Sequence, residues 1–124
     1  MNRIFLLVLA SLFVFVPTSD AADFGRGNLF KIKLITSNEE VECEYRIPNS
    51  YKCRKDGNEF EDRIARKQLL LLYRQVHPIH GAKVEDIVTN LENEGYSDIE
   101  YLDVRWIDDK GRLSTWVWER GHQG

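Results

Sequence analysis

No stretch of this 124-residue chain names a reaction, and much of what it says comes from what is scarce. There are only two cysteines and three histidines. The cysteines, Cys43 and Cys53, stand ten residues apart with no histidine close by, so the adjacent C-x-x-C arrangement of thiol redox proteins is absent. No Ser, His and acid trio is suggested by position, and no carboxylate pair announces itself as an acid/base couple. Charge of one sign does not dominate either: 17 Lys and Arg face 20 Asp and Glu, a net of −3, with the basic residues dispersed among acidic ones. That removes the electrostatic reason to expect nucleic acid as a partner.

Long apolar runs are also lacking. The longest, Ile4 to Val16, is 13 residues, short of the ~18 or more that cross a bilayer. One positive residue, Arg3, precedes it, and Pro17 with small or polar residues closes it, which is the layout of a secretory signal peptide. Ser19 and Ala21 suit a cut that leaves Ala22 as the new N-terminus. No cysteine follows the cut to carry a lipid. The expectation is a signal peptide over 1–21 and one small α+β domain over 22–124, secreted or periplasmic, with no membrane span after cleavage. An exported cysteine pair is then a disulfide, Cys43 to Cys53, closing a loop of about ten residues and contributing roughly 2–3 kcal/mol.

What is present is alternation and periodicity. NLFKIKLITSNEEVECEYRI, residues 28–47, reads as a β-hairpin with Asn38 and Glu39 at the tip, Leu34 opposite Cys43, Ile32 opposite Tyr45, Phe30 opposite Ile47 and Lys33 against Glu44. Tyr51 to Arg54 forms a short third strand. Lys55-Asp56-Gly57-Asn58 turns the chain, and the spacing of Asn58 and Glu61 matches a capping box for a helix over about Glu59 to Val76. Phe60, Ile64, Ala65, Leu69, Leu71, Leu72 and Val76 make its apolar side; Arg63, Arg66, Lys67 and Arg74, with Leu70 among them, make a basic arc. After the connector HPIHGA, residues 83–95 repeat Val84, Ile87, Val88 and Leu91 on one helical face and stop at Gly95.

The last segment holds all three tryptophans. Asp109-Lys110-Gly111 reverses the chain, so Asp108 meets Arg112, Trp106 meets Ser114, Val104 meets Trp116 and Leu102 meets Trp118. Trp106, Trp116 and Trp118 then share a face that the second helix covers. Tyr101, Ile107, Leu113 and Val117 fall on the other face with Asp103, Arg105 and Thr115. If open, that face offers a mixed apolar and charged patch of the kind partners use. The architecture expected is an antiparallel sheet from two hairpins with two helices on one face, in roughly β-β-(β)-α-α-β-β order.

Residues 84–119, VEDIVTNLENEGYSDIEYLDVRWIDDKGRLSTWVWE, resemble the PepSY-like extracytoplasmic domains, in which a helix ends in Gly plus an aromatic, here Gly95-Tyr96, and a strand, an Asp/Gly turn, here DDKG, and a second strand follow. The resemblance implies a small non-catalytic module that contacts other exported proteins, with no functional residues to carry over. The residues themselves favour a protein-binding module that makes contact through Tyr101, Arg105, Ile107, Leu113 and Val117, with no cofactor, and with the resemblance the expected role is an inhibitor or accessory subunit of an envelope or secreted protein. Two alternatives stand beside it. One is a carrier with a hydrophobic pocket between the tryptophan face and the helices. The other is a metal-dependent enzyme using the H-x-x-H pair His77 and His80, with Glu85 or His122 recruited as a third ligand.

Overall fold

A computed structural model describes residues 27–121. The expected signal peptide over 1–21, residues 22–26 and His122 lie outside them. Six strands and two helices follow in the order β1 (Gly27–Thr36), β2 (Glu40–Arg46), β3 (Ser50–Lys55), β4 (Asn58–Glu61), α1 (Asp62–Val76), α2 (Val84–Asn93), β5 (Ile99–Asp108) and β6 (Leu113–Glu119). All pairings are antiparallel, and the sheet order is β4-β3-β2-β1-β5-β6. The fold is therefore α+β, with both helices packed on the sheet. No helix among the described residues is long and apolar enough to cross a membrane.

Alternation sorts each strand into two faces. Phe30, Ile32 and Leu34 of β1, Val41 and Cys43 of β2, Cys53 of β3, and Leu102 and Val104 of β5 are all buried. They join Ala65, Leu69, Leu72 and Val76 of α1 and Ile87, Val88 and Leu91 of α2 in one core. The first helix leans chiefly on β3 and β2, the second on β6 and β5. Cys43 and Cys53 sit directly opposite each other across β2 and β3 and are disulfide-bonded.

The C-terminal hairpin has the expected register throughout, with Leu102 opposite Trp118, Val104 opposite Trp116 and Trp106 opposite Ser114. Gly111 takes φ +81°, the left-handed conformation that the reversal demands. Trp116 is buried; Trp106 and Trp118 pack against the core part-exposed.

Three expectations are corrected. The first hairpin is displaced by two residues: Leu34 meets Val41, Ile32 meets Cys43, Phe30 meets Tyr45 and Lys33 meets Glu42. Its tip is Ser37-Asn38 because the Thr36 hydroxyl accepts hydrogen bonds from the backbone N–H groups of Asn38 and Glu39, closing the turn one residue early. A shift of two preserves both faces, so the core is unaffected.

Second, Asn58–Glu61 is not a capping box but β4, paired with β3 from Lys55 opposite Asn58 to Lys52 opposite Glu61. Asp56 and Gly57 both have positive φ, +50° and +87°, as a two-residue hairpin turn requires. The helix begins only at Asp62, and no side chain caps it.

Third, the helix is rotated from the expected wheel. Leu70 is buried, while Ile64 and Leu71 are 66% and 47% exposed.

That rotation yields a test. Leu72→Ala should cost about 2–5 kcal/mol because a fully buried side chain leaves a cavity. The neighbouring Leu71→Ala should cost under about 1 kcal/mol. Urea unfolding of the two variants reads the difference directly.

Candidate functional site

The tip of the β5–β6 hairpin is where distant parts of the chain converge. Asp108 ends β5, is 4% exposed, and closes the turn with its own carboxylate: Oδ1 accepts from the backbone N–H of Lys110 and of Arg112, each at 2.9 Å. Oδ2 accepts from Arg112 Nε at 2.8 Å and lies 2.6 Å from His80 Nε2. Burial alone pushes this carboxyl up. The hydrogen bonds from Arg112, His80 and Lys110 outweigh it and hold the group well below the usual carboxylate range. Asp108 is therefore an ionised acceptor across the working pH range.

His80 comes from the connector between the helices, 28 residues away. Since Asp108 is a carboxylate, Nε2 carries the proton it donates, and in the Nε2–H tautomer Nδ1 is an acceptor. Ser114 Oγ lies 2.8 Å from Nδ1 and donates to it in that tautomer. The ring lies against Trp106, tilted by 32° with centroids 4.7 Å apart, and Trp106 stacks in turn on Trp116 at 6.5 Å. Trp116 Nε1 donates to Ala82 O at 2.8 Å, a second tie from the same connector to β6. Trp106 Nε1 is buried and meets no acceptor among the described residues.

The H-x-x-H pair is thereby split. His77 caps the end of α1 at φ +53°, whereas His80 is engaged by Asp108 and Ser114. Among the described residues no group of three His, Cys, Asp or Glu side chains is placed to hold a metal ion. Ser114, His80 and Asp108 form the serine, histidine and acid set that chain position does not suggest. The predicted 106/114 and 108/112 register sets Asp108 and Ser114 on one side of the hairpin, but no signal in the sequence places His80 beside them.

On the opposite side of the hairpin the sheet has no covering layer among the described residues. Tyr101, Arg105 and Ile107 of β5 and Leu113 and Val117 of β6 all lie on this face, as expected. Ile107 and Leu113 are directly paired and extend a row begun by Leu29 on β1. Leu113 is 61% and Val117 52% exposed. Tyr101 stands apart from Ile107, its hydroxyl donating to Asp103 Oδ2 at 3.3 Å; burial first and the Asp103 charge second raise its pKa above the ordinary value. Arg105 Nε is 3.5 Å from Asp103 Oδ1 and stands directly opposite Lys31 of β1, so two positive residues adjoin the apolar row.

Apart from Ile35, which stands opposite Tyr101, the rest of this face is charged and ordered by strand. Glu59 and Glu61 on β4 lie beside Arg54 and Lys52 on β3, then Glu42 and Glu44 on β2, then Lys33 and Lys31 on β1. A cleft of about 320 Å³ opens there, lined by Lys31, Glu42, Glu44, Lys52, Arg54 and Glu59 with the disulfide and Phe60. Its charged lining does not suit the hydrophobic ligand of the carrier reading, which requires a pocket between the tryptophans and the helices.

No protein-family model matches the chain, and no curated protein or solved structure does so either.

The hairpin tip makes a pH prediction with a definite sign. A carboxylate whose folded pKa is depressed stabilises the fold above its unfolded pKa of about 3.9 and loses that contribution as pH falls toward the folded value. The wild type should lose thermal stability progressively below about pH 4, while Asp108→Asn, lower in Tm by about 5 °C at neutral pH, should show a shallower acid slope. Thermal melts followed by tryptophan emission between pH 2 and pH 7 measure both.

Proposed function

We propose that this chain is an exported protein-binding module that engages its partner across the open face of the β5–β6 hairpin. The observation that carries the reading is the uncovered apolar row Leu29–Ile107–Leu113, with Val117 nearby, beside the adjacent positive residues Lys31 and Arg105. Apolar side chains surrounded by charge, with like charges left facing each other, favour a partner that brings an apolar side chain and a carboxylate together. The resemblance of residues 84–119 to PepSY-like domains agrees with this role, as an inhibitor or accessory subunit of another exported protein.

Arg105→Glu and Leu113→Asp should each weaken the native complex recovered from the exported fraction by at least about tenfold, since a reversed charge or a buried carboxylate at an interface centre costs over ~1.4 kcal/mol. Tyr101→Ala should weaken it less. Retention of the partner at full strength by the first two folded variants would refute the assignment of this face.

One observation favours a second reading, acyl transfer at Ser114. The Ser114–His80–Asp108 chain has the order of a nucleophile, a base and an orienting acid, with Nδ1 rather than Nε2 toward the serine. In that chemistry His80 Nδ1 takes the hydroxyl proton as Ser114 Oγ bonds to the acyl carbon, then gives it to the leaving oxygen as the ester C–O bond breaks. A fluorophosphonate probe should label Ser114 in the wild type and not in His80→Gln. Intact, unlabelled protein by mass spectrometry would dispose of this reading and leave the binding one standing.

A further inference from the structure

The two edges of the sheet are unlike. β4, at one end, has four residues, Asn58–Glu61, two of them glutamates, and short charged strands are how sheets keep edges from pairing. β6, at the other end, runs LSTWVW from Leu113 to Trp118 without a charge, a proline or a glycine, and is charged only at Glu119. Thr115, Trp116, Val117 and Trp118 have high β-propensity. Among the described residues none of the usual edge defences is present on this edge.

The ladder tells which backbone groups this edge offers. Asp108 N donates to Arg112 O at 3.0 Å and Arg120 N donates to Glu100 O at 2.9 Å, so the even-numbered residues of β6 exchange hydrogen bonds with β5. By the alternation of an antiparallel ladder, the N–H and C=O of Leu113, Thr115 and Val117 point away from β5. No other described strand pairs with them.

We propose that this edge pairs with β6 of a second copy of the chain, about a two-fold axis through Thr115, to give one continuous antiparallel sheet. In that register Leu113 faces Val117 of the other copy, Thr115 faces Thr115, and Val117 faces Leu113. Each pair brings outward N–H and C=O groups together on both strands, about six hydrogen bonds in all. The side chains that meet on the open face are apolar or hydroxylic, and on the inner face Ser114 meets Trp116. At the ends, Glu119 of one copy falls opposite Gly111 of the other and next to Lys110, while Arg112 stays with its own Asp108. Arg120, which would approach Lys110, is turned back onto β5, its Nε donating to Ile99 O and its Nη2 lying 3.9 Å from Asp98. A self-complementary strand of this kind makes the isologous contact that closes at two copies.

The pairing's hydrogen bonds come from the edge, while Leu113 and Val117 belong also to the face assigned to the partner; Thr115→Pro leaves both of those side chains in place and so tells failure of the edge from failure of the face. The decisive variant is Thr115→Pro. It removes an N–H that faces outward and leaves every β5–β6 hydrogen bond in place, so the fold should persist while the edge is blocked. Light scattering on the protein as recovered after export should give twice the chain mass for the wild type, dissociating on dilution, and a single chain mass for Thr115→Pro. Val117→Lys, which sets a charge against Leu113 of the second copy, should raise the dissociation constant at least tenfold. Thr115→Cys should give an intermolecular disulfide under mild oxidation, reporting the axis. A wild type that stays at one chain mass at high concentration, a Thr115→Pro variant that still dimerises, or protection of the Thr115 amide by a segment of the same chain would each overturn the proposal. If Thr115→Pro is monomeric and still binds the exported partner, the edge and the face are independent surfaces.

Discussion

The arrangement depends on β1 lying between β2 and β5. This one strand is paired along nearly its whole length on both sides, to a neighbour across a short turn and to a segment some seventy residues later in the chain. Its inward residues Phe30, Ile32 and Leu34 are at most 1% exposed, and burying three side chains of that size is worth roughly 1.5–3 kcal/mol apiece before entropy is counted. Because β5 must return to β1, the helices are compelled to lie in the crossover between β4 and β5. They can cover only the face on which that crossover runs. The uncovered face is thus a consequence of topology, and no helix remains among the described residues to cover it.

Given one wet face, the residues on it must tolerate water, and over most of the sheet they do so by alternating charge from strand to strand. Arg54 contacts Glu59 at 3.0 Å and Glu42 at 3.8 Å, tying β3 to both neighbours, although exposed pairs of this sort contribute only about 0–1 kcal/mol. Their larger effect is on register, since a one-residue slip would bury the charges and expose the core. The pattern ends at β5. There Asp103 continues the alternation and Arg105 breaks it against Lys31, and on β6 Leu113, Thr115 and Val117 carry no charge at all.

Legibility in the sequence followed how far each feature depends on local geometry. The last hairpin could be read residue by residue because the Asp-Lys-Gly reversal and the apolar alternation permit one register. The first hairpin could be read only to within two residues, because Lys33 finds an opposite charge at either Glu42 or Glu44 and both faces survive the shift. The hydroxyl of Thr36 decides between them, and it is not an apolar signal. At Asn58–Glu61 two local rules conflict, the capping-box spacing and the Asp-Gly hairpin turn, and strand pairing with β3 settles it. The five face residues Tyr101, Arg105, Ile107, Leu113 and Val117 were legible from alternation alone, but whether helices covered them depended on the crossover. The contacts of His80 with Asp108 and Ser114 span 28 and 34 residues and rest on where a proline-containing connector lies, which no periodicity encodes.

The connector and the hairpin explain each other once these contacts are in place. Asp108 would be costly to bury without its donors, and His80, Arg112 and two backbone N–H groups supply them. The same contacts, with the bond from Trp116 to Ala82, hold the first half of β6 against the body of the domain. An edge strand pinned on its inner side presents its outer backbone groups in a fixed geometry, which lowers the entropy lost when another strand adds to it. Folding makes no demand on the outward side chains of Leu113 and Val117, which are exposed and would accept lysine or glutamate as readily as the outward positions of β1 to β4 do. Their apolar character is the feature that the proposed pairing and the proposed partner face are each built on.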